Sequence, residues 1–303
     1  MTELLFTTND VANMLQVDKS TVKRWTDEGK LKCFRTPGGH RKFRAEDLYQ
    51  FMADYNYTIS SPDIFPKLAS DEAILHDMIT RKEFNVLDSV CFSASIKGNK
   101  DEVLKLFIEA YRNGMSLALI LDKIMRPTVK KISDLHSGGK LQLAEKQLAL
   151  NCLSNAIVLL SDTIAKSSRA GKIAVCAMAE NDGDDLELKA LVVLLESQGI
   201  EVFNLGVGTT ADSITQLVRS KQPNFVFLIA SSAPNGDSLA DEHRKILADV
   251  RTYGARLIIG GGGYTEALRT KELNGLYDVF CSSFKEFTTV LYVRSEFKKK
   301  EKE

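Results

Sequence analysis

The lysine and arginine side chains of this 303-residue chain are concentrated near its N-terminal end. Positions 19–44 hold nine basic residues and two acidic ones, an excess of seven positive charges, although the whole chain has a formal net charge of zero. A positive patch of this density is typical of surfaces that bind the phosphates of a nucleic acid. The alternative is a charged, solvated face on a small module that binds protein.

Two short helices would position the first part of this patch. Thr8 can cap a short first helix, and Asp18 can cap a second helix over positions 19–28, which Gly29 ends. Helices joined so tightly are typical of a helix-turn-helix, whose second helix lies in the major groove of DNA. Trp25 is expected in the core. The predicted DNA contacts on the second helix are Lys19, Ser20, Thr21, Lys23 and Arg24.

A glycine-rich turn at positions 36–40 separates two short extended segments at 31–35 and 41–44. This arrangement predicts a β-wing that reaches the DNA backbone beside the groove, and a third helix over 45–55 that closes the DNA-binding head. We expect Arg41 to contact a phosphate. The predicted DNA contacts of the wing are Arg35, Gly38, Gly39, His40, Arg41 and Lys42.

Positions 6–52 resemble the DNA-binding domain of the MerR family of transcription regulators, most specifically in the segment Thr-Pro-Gly-Gly-His-Arg-Lys-Phe at 36–43. The resemblance implies a sequence-specific regulator that binds double-stranded DNA as a dimer. Many members dimerise through a long coiled-coil helix, and no such helix follows Tyr55 in this sequence. We therefore expect a homo-oligomer that is held together by another part of the chain.

The rest of the chain has two successive periodicities. Apolar residues keep helical spacing across 71–168, in four segments that predict a four-helix bundle. Positions 169–296 alternate strands and helices, which predicts a Rossmann-like parallel α/β domain. The expected fold is therefore multidomain α and α/β, with a winged helix-turn-helix over 1–56, a linker over 57–70 and a charged tail over 297–303.

Parallel α/β sheets bind ligands beyond the carboxyl ends of their strands. The chain has short polar and glycine residues there, and glycine allows the backbone to approach a ligand closely. A helical bundle followed by such a sheet resembles the cobalamin-binding module of methionine synthase. Joined to the head, positions 71–295 resemble the cobalamin-dependent repressors of the CarH type. The residues of this predicted ligand groove are Asn181, Asp182, Gly183, Ser231, Ser232, Gly260 and Gly261.

The residues that hold cobalamin in that family are replaced in this chain. The resemblance implies a cobalt-binding histidine where this chain has Gly183. It also implies a tryptophan where this chain has His136, and a Glu-His pair where it has Lys146 and Gln147. We therefore predict a regulator that works without cobalamin or any other cofactor, through another ligand or through a protein partner of the C-terminal domain.

Four alternatives for the groove stay open at this point. It binds cobalamin with no cobalt ligand from the protein, or it is closed and serves protein contacts. A heme held by His136 or Cys176 is the third alternative. A divalent cation held by the carboxylates of positions 181–185 is the fourth.

Other classes of protein are disfavoured. The sequence has no serine-histidine-aspartate order, HExxH motif or P-loop, so we expect no enzyme, and we place His243 on the surface. The five cysteines lack CxxC spacing, which argues against zinc sites and disulfides. The chain opens without a signal-peptide pattern, and no apolar run approaches the roughly 18 residues of a membrane helix. We expect a cytoplasmic protein with no metal and no membrane partner.

Overall fold

The computed structural model describes the following residues: 5–55, 72–165, 167–168, 171–179, 184–233 and 239–292. The chain divides into two compact units, one made of Met1–Ser116 and Lys123–Ala156, the other of Leu117–Asp122 and Ile157–Glu303. The predicted linker and the predicted charged tail lie outside the described residues. The domain bounds expected from the sequence stay predictions.

The head contains a small antiparallel sheet and three helices, which confirms the expected helix-turn-helix. Its elements are β1 (Leu5–Thr7), α1 (Thr8–Leu15), α2 (Lys19–Asp27), β2 (Phe34–Arg35), β3 (Arg41–Arg44) and α3 (Ala45–Tyr55). The strands lie in the order β1, β3, β2, and Phe6 pairs with Phe43 in the core. Thr7, and not Thr8 as expected, caps α1, because its hydroxyl accepts from the Asp10 N–H at 3.1 Å. Strand β1 has three residues, too few to give a detectable period, and the sequence did not predict it.

A run of helices follows the head, as the sequence predicts, although six helices are described where the apolar spacing indicated four. The bounds are α4 (Glu72–Arg81), α5 (Phe84–Ile96), α6 (Lys100–Arg112), α7 (Leu117–Ile120), α8 (Arg126–Ser137) and α9 (Leu143–Thr163). A π-helical turn at Leu121–Met125 joins α7 to α8. Leu87, Cys91 and Phe107 are fully buried, which accounts for the helical spacing of apolar residues in α5 and α6.

A five-stranded parallel sheet with its connecting helices follows this run of helices and confirms the expected α/β fold. Its elements are β4 (Ile173–Met178), α10 (Leu186–Ser197), β5 (Glu201–Gly206), α11 (Ala211–Lys221), β6 (Phe225–Ile229), α12 (Leu239–Thr252), β7 (Arg256–Gly260), α13 (Glu266–Lys271), β8 (Val279–Cys281) and α14 (Phe284–Val290). The strand order is β5, β4, β6, β7, β8, and every pair is parallel. Every residue of β6 is buried, as is usual for a strand covered on both faces.

Asp122, in the π-helical turn, caps the last described helix of the second unit. Its two carboxylate oxygens accept from the N–H groups of Phe284 and Lys285, at 2.8 and 3.0 Å. These amides begin α14 and have no partner within that helix. The short segment Leu117–Asp122 is thereby tied to the α/β unit, to which it belongs by its contacts.

His243 in α12 is buried, so its expected position on the surface is wrong. Its side chain is 2% exposed, and its Nε2 lies 3.2 Å from the hydroxyl oxygen of Tyr264. The two rings meet edge to face, with centroids 5.7 Å apart. His243 precedes Ile246 and Leu247 by three and four residues, and both of these face the core. This helical spacing was the overlooked signal in the sequence.

The burial of His243 predicts a loss of stability in mild acid. Burial lowers the pKa of His243 from 6.5 to about 4, against smaller raising effects of the Leu276 backbone and the Glu242 carboxylate. Below pH 6.5 the unfolded chain therefore binds a proton that the folded chain rejects until the pH nears 4. We expect this residue to lower the free energy of unfolding by about 2 kcal/mol between roughly pH 6.5 and 5.

Urea unfolding of the wild type and of His243→Gln at these two pH values measures the effect. Glutamine keeps a hydrogen-bonding partner for Tyr264 but does not titrate. The wild type should lose more stability on acidification than the variant, and equal losses would contradict the assignment to His243.

Candidate nucleic-acid interface and ligand groove

Helix α2 has one face in the core and one in solvent. Val22 is fully buried, and Trp25 is 6% exposed with its ring centroid 4.8 Å from that of Phe51, which confirms Trp25 as a core residue. The predicted contacts Lys19, Ser20, Lys23 and Arg24 are exposed, and Thr21 is half-buried. The fold thus presents three cations and a hydroxyl to solvent along the helix that reads DNA in this motif.

The acidic residues at the two ends of α2 differ in their hydrogen bonds. Asp18 occupies the N-cap position, but its carboxylate makes no capping hydrogen bond, contrary to expectation. At the other end, Glu28 follows the helix and its carboxylate lies 2.7 Å from Lys30 Nζ. This hydrogen bond lowers the pKa of Glu28. The acid at the end of α2 is thus engaged with Lys30 and, at 3.9 Å, with Arg24.

The wing turn is closed by its own backbone. The Thr36 N–H donates to the His40 carbonyl at 2.9 Å, and the Gly39 N–H donates to the Thr36 carbonyl at 2.8 Å. Gly39 has a φ of +78°, a conformation that favours glycine. Gly38, Gly39 and His40 are exposed, as a wing that contacts DNA requires.

Strand β3 sends alternate side chains to opposite faces of the wing. Phe43 is fully buried, whereas Lys42 and Arg44 lie on the other face. Arg44 is stacked 5.8 Å from the ring centre of Phe34, which is 38% exposed and pairs with Lys42 across the sheet. Sequence reasoning selected neither Phe34 nor Arg44, although the period of two in β3 could have placed them beside Lys42.

Arg41 shares the inner face of β3 with Phe43. Its Nη2 lies 2.6 Å from Asp27 Oδ1, at the end of α2, and its side chain is 15% exposed. Arg35, directly opposite Arg41 on β2, is exposed. The expected phosphate contact of Arg41 stays a prediction, and the structure engages its guanidinium with Asp27.

The predicted ligand groove lies where the strand order reverses, between β4 and β6. Asn181, Asp182 and Gly183, which follow β4, lie outside the described residues. Ser231, which follows β6, is half-buried, and its hydroxyl donates to the Asp184 carbonyl at 2.9 Å, while Ser232 is exposed. This hydrogen bond joins the two chain segments that flank the switch point.

The chain itself explains why Gly260 and Gly261 are glycines. A side chain at Gly260 would overlap the ring of Phe287, and one at Gly261 would overlap the Ala230 carbonyl. Gly261 also has a φ of +98°. Close approach of the chain's own backbone and side chains thus accounts for both residues without a ligand.

Gly262 and Gly263 differ in the space that a side chain would have. A Cβ at Gly263 would overlap the Ser232 carbonyl oxygen and lie 2.8 Å from the Ala230 Cβ, and the Gly263 N–H donates to the Ala230 carbonyl at 2.8 Å. At Gly262 the nearest atom to an added Cβ is the Ser231 carbonyl oxygen, 3.8 Å away. Of the four glycines, Gly262 alone has room for a side chain on the outer side of the loop.

The donor atoms of the chain do not fit a cobalamin held through a histidine. The segments that follow β4, β6 and β7, at 179–185, 230–238 and 260–265, contain no histidine. His243 is engaged with Tyr264, as described above. The ordinary way in which this fold would hold cobalt from the protein side is therefore missing.

The proposed heme ligands are also engaged. His136 Nδ1 lies 2.9 Å from the Leu141 carbonyl oxygen. Cys176 is fully buried in the middle of β4, and burial raises the pKa of its thiol far above the ordinary value. A protonated thiol inside a sheet is a poor iron ligand.

The two described carboxylates of the loop before α10, those of Asp184 and Asp185, have partners in the chain. Asp184 Oδ1 accepts from the Leu186 N–H at 3.1 Å, and Asp185 Oδ1 lies 3.0 Å from Lys189 Nζ. Across the described residues, no group of three or more histidine, cysteine, aspartate or glutamate residues is arranged to hold a metal. Within the same part of the chain, no helix has the length and apolar character needed to cross a membrane.

Comparison with known proteins gives two kinds of match. Residues 5–55 match the family model described as a helix-turn-helix domain. Over 114 residues the chain is 29% identical to the transcriptional repressor DcmR of Methylorubrum extorquens, a match that covers 37% of this chain and 42% of that protein. Over 159 residues it is 23% identical to monomethylamine corrinoid protein 2 of Methanosarcina mazei, covering 51% of this chain and 71% of that protein.

The monomethylamine corrinoid protein of Methanosarcina barkeri has a similar fold. The likeness has a TM-score of 0.53 at 16% identity, and covers 66% of this chain and 94% of that one. The protein is therefore of the class that joins a helix-turn-helix domain, a DNA-binding module, to a body with the fold of a corrinoid protein.

Proposed function

We propose that the protein is a non-catalytic transcription regulator that binds double-stranded DNA in the cytoplasm through α2 and the wing. The observation that carries this proposal is the exposed row of Lys19, Lys23 and Arg24 on the second helix of the helix-turn-helix. Such a row supplies phosphate contacts and base contacts in the major groove. The other proposed contacts are Ser20, Thr21, Arg35, Gly38, Gly39, His40 and Lys42.

Two similarities support a role in transcription. The wing segment at 36–43 resembles that of MerR-family regulators. The matched protein of Methylorubrum extorquens is named a transcriptional repressor, and 42% of its length is matched. We extend regulation of transcription to this chain as a proposal.

We further propose that the corrinoid-protein-like body acts without cobalamin. Gly183 has no side chain to offer cobalt, and no histidine follows β4, β6 or β7 within the loops at the sheet's carboxyl edge. The Ser231 hydroxyl ties the segment after β6 to Asp184, and Gly261 packs against Ala230. These contacts favour a groove filled by the chain itself, so the body would respond to another ligand or to a protein partner.

A cobalamin-dependent regulator is the second candidate. The observation that favours it is the 23% identity to a corrinoid protein over 159 residues, together with the shared fold. Cobalamin would then bind without a cobalt ligand from the protein. The two candidates differ in whether the protein retains a coloured cofactor.

We also propose that the chain is a homo-oligomer, with α9 contributing to the interface. Positions 147–161 of this helix contain no charged residue. Leu148 and Val158 in this stretch are each 49% exposed, and Asn151 and Asn155 are exposed beside them. An uncharged face with exposed apolar residues suits contact with an identical face, because no like charges meet and amides both donate and accept.

One set of measurements tests the function. The purified full chain is mixed with genomic fragments and with random duplexes at moderate salt, and we expect saturable, salt-sensitive binding to particular fragments. Sedimentation of the same protein should show an oligomer. Equal binding to all duplexes would refute the proposal that the protein is a regulator.

A second experiment tests for the cofactor. After incubation with cobalamins and removal of the free ligand, we expect a colourless protein, whereas retained visible absorbance would favour the second candidate.

A further inference from the structure

Arg41 differs from the other basic residues of the head in where its charge lies. Its side chain is 15% exposed, whereas those of Arg24 and Lys30 are 66% and 46% exposed. Its Nη2 lies 2.6 Å from Asp27 Oδ1. The cost of withdrawing this guanidinium from water is offset by the paired carboxylate, and the planar guanidinium fixes the geometry of the pair.

The Arg41–Asp27 ion pair joins the two elements that must meet the same duplex. Asp27 is the last residue of α2, and Arg41 is the first residue of β3. Arg41 lies on the inner side of the strand with the fully buried Phe43. Arg35 lies directly opposite Arg41, and Asp27 offsets the repulsion between these two like charges. The angle between wing and helix therefore depends on this pair.

We propose that Arg41 is a positioning residue, which acts on DNA through Asp27 and does not itself contact a phosphate. The proposal rests on the proposed function, namely that the head binds duplex DNA. A phosphate that took Nη2 would displace Asp27 and leave its carboxylate unneutralised near the DNA backbone. The Nε of Arg41 is buried and the whole side chain is 15% exposed, so little of the guanidinium faces a duplex. With the ion pair intact, Lys42 of the wing and Lys23 of α2 keep a fixed separation and reach one duplex together.

Neighbouring acids at the end of α2 provide a matched test. Asp27→Asn and Glu28→Gln each remove one negative charge, but Glu28 pairs with Lys30 and, at 3.9 Å, with Arg24 of its own helix, and not with the wing. If these acids only repelled DNA, both variants would bind more tightly. The ion pair predicts that Asp27→Asn binds its selected fragment about fivefold more weakly, while Glu28→Gln does not weaken binding. Tighter binding by Asp27→Asn would overturn the proposal.

Salt dependence separates positioning from phosphate contact. Lys42→Gln, on the outer face, should reduce the slope of log affinity against log salt by about 0.9, the value for one lost phosphate contact. Arg41→Gln should weaken binding about as much as Asp27→Asn while leaving this slope unchanged. The reversed pair Asp27→Arg/Arg41→Asp should recover most of the affinity. A slope that falls by about 0.9 in Arg41→Gln would identify a phosphate contact and overturn the proposal.

A measurement without DNA keeps this inference separate from the proposed function. The Gly39 N–H donates to the Thr36 carbonyl at the wing turn, and its hydrogen exchange in the folded full chain is measured by NMR. Asp27→Asn should speed this exchange severalfold, and Glu28→Gln should not; equal rates in the two variants overturn the proposal. If the wild type prefers no fragment, the proposed function fails, and the exchange rates alone decide whether Arg41 positions the wing.

Discussion

Gly263→Ala is expected to lower the free energy of unfolding by about 3 kcal/mol. A methyl group at this position would overlap the Ser232 carbonyl oxygen and press on the Ala230 Cβ. Both contacts involve backbone or a short side chain, which cannot rotate away. Relief therefore requires the loop to move, and the hydrogen bond from the Gly263 N–H to the Ala230 carbonyl would be strained or lost.

Gly262→Ala is the matched control for this prediction. The two substitutions have the same chemistry in adjacent residues, but the nearest atom to a Cβ at Gly262 is 3.8 Å away, an ordinary contact. We expect Gly262→Ala to change the free energy of unfolding by less than about 0.5 kcal/mol. Urea unfolding of the two variants and the wild type gives both values. Equal stability of the two variants would show that the loop does not pack as described.

This pair of variants also bears on the proposed absence of a cofactor. The predicted ligand groove lies at this edge of the sheet, where glycine would let a ligand approach the backbone closely. Here, Gly261 and Gly263 have their space taken by the Ala230 to Ser232 backbone, and Gly262 alone has space on its outer side. We expect a ligand that approaches this loop to meet Gly262, and Gly262→Val is the variant that tests for such a ligand.

The sequence predicted the elements with a clear period or a strong end signal. Helix α11 begins at Ala211 and ends at Lys221, and its apolar stripe lies between Thr210, whose hydroxyl caps it, and the exposed Gln222. Strand β6 was found because its apolar run is continuous. By contrast, β8 and α14 were not predicted, since three and seven residues give too little periodicity.

The contacts that the sequence did not predict are those between residues far apart in the chain. The pairing of Arg41 with Asp27 depends on how β3 crosses the end of α2, and the capping of α14 by Asp122 spans more than 160 positions. Composition cannot distinguish a basic side chain that is exposed to bind a phosphate from one that forms an ion pair with an acidic side chain. The sequence therefore identifies the basic residues of the head, while the exposure and the partners of each cation needed the fold.

The double variant Lys19→Gln/Lys23→Gln is expected to bind its selected fragment about a hundredfold more weakly than the wild type at moderate salt. Both side chains are exposed on α2, the helix that lies in the major groove in this motif. The salt slope should fall by about 0.9 for each of the two lysines that contacts a phosphate. A lysine that reads a base would instead change which fragments are preferred.

Lys30→Gln/Lys32→Gln is the control, because it removes the same charge from the same head. Both lysines are exposed, but they follow α2, and Lys30 is paired with Glu28 at 2.7 Å. We expect a loss of affinity below about threefold, which reflects only the change in net charge. Titration of fluorescent fragments at several salt concentrations measures both variants, and circular dichroism confirms that both heads are folded. A similar loss in both would mean that the head attracts DNA by charge alone, whereas a loss confined to Lys19 and Lys23 assigns the reading of the duplex to α2.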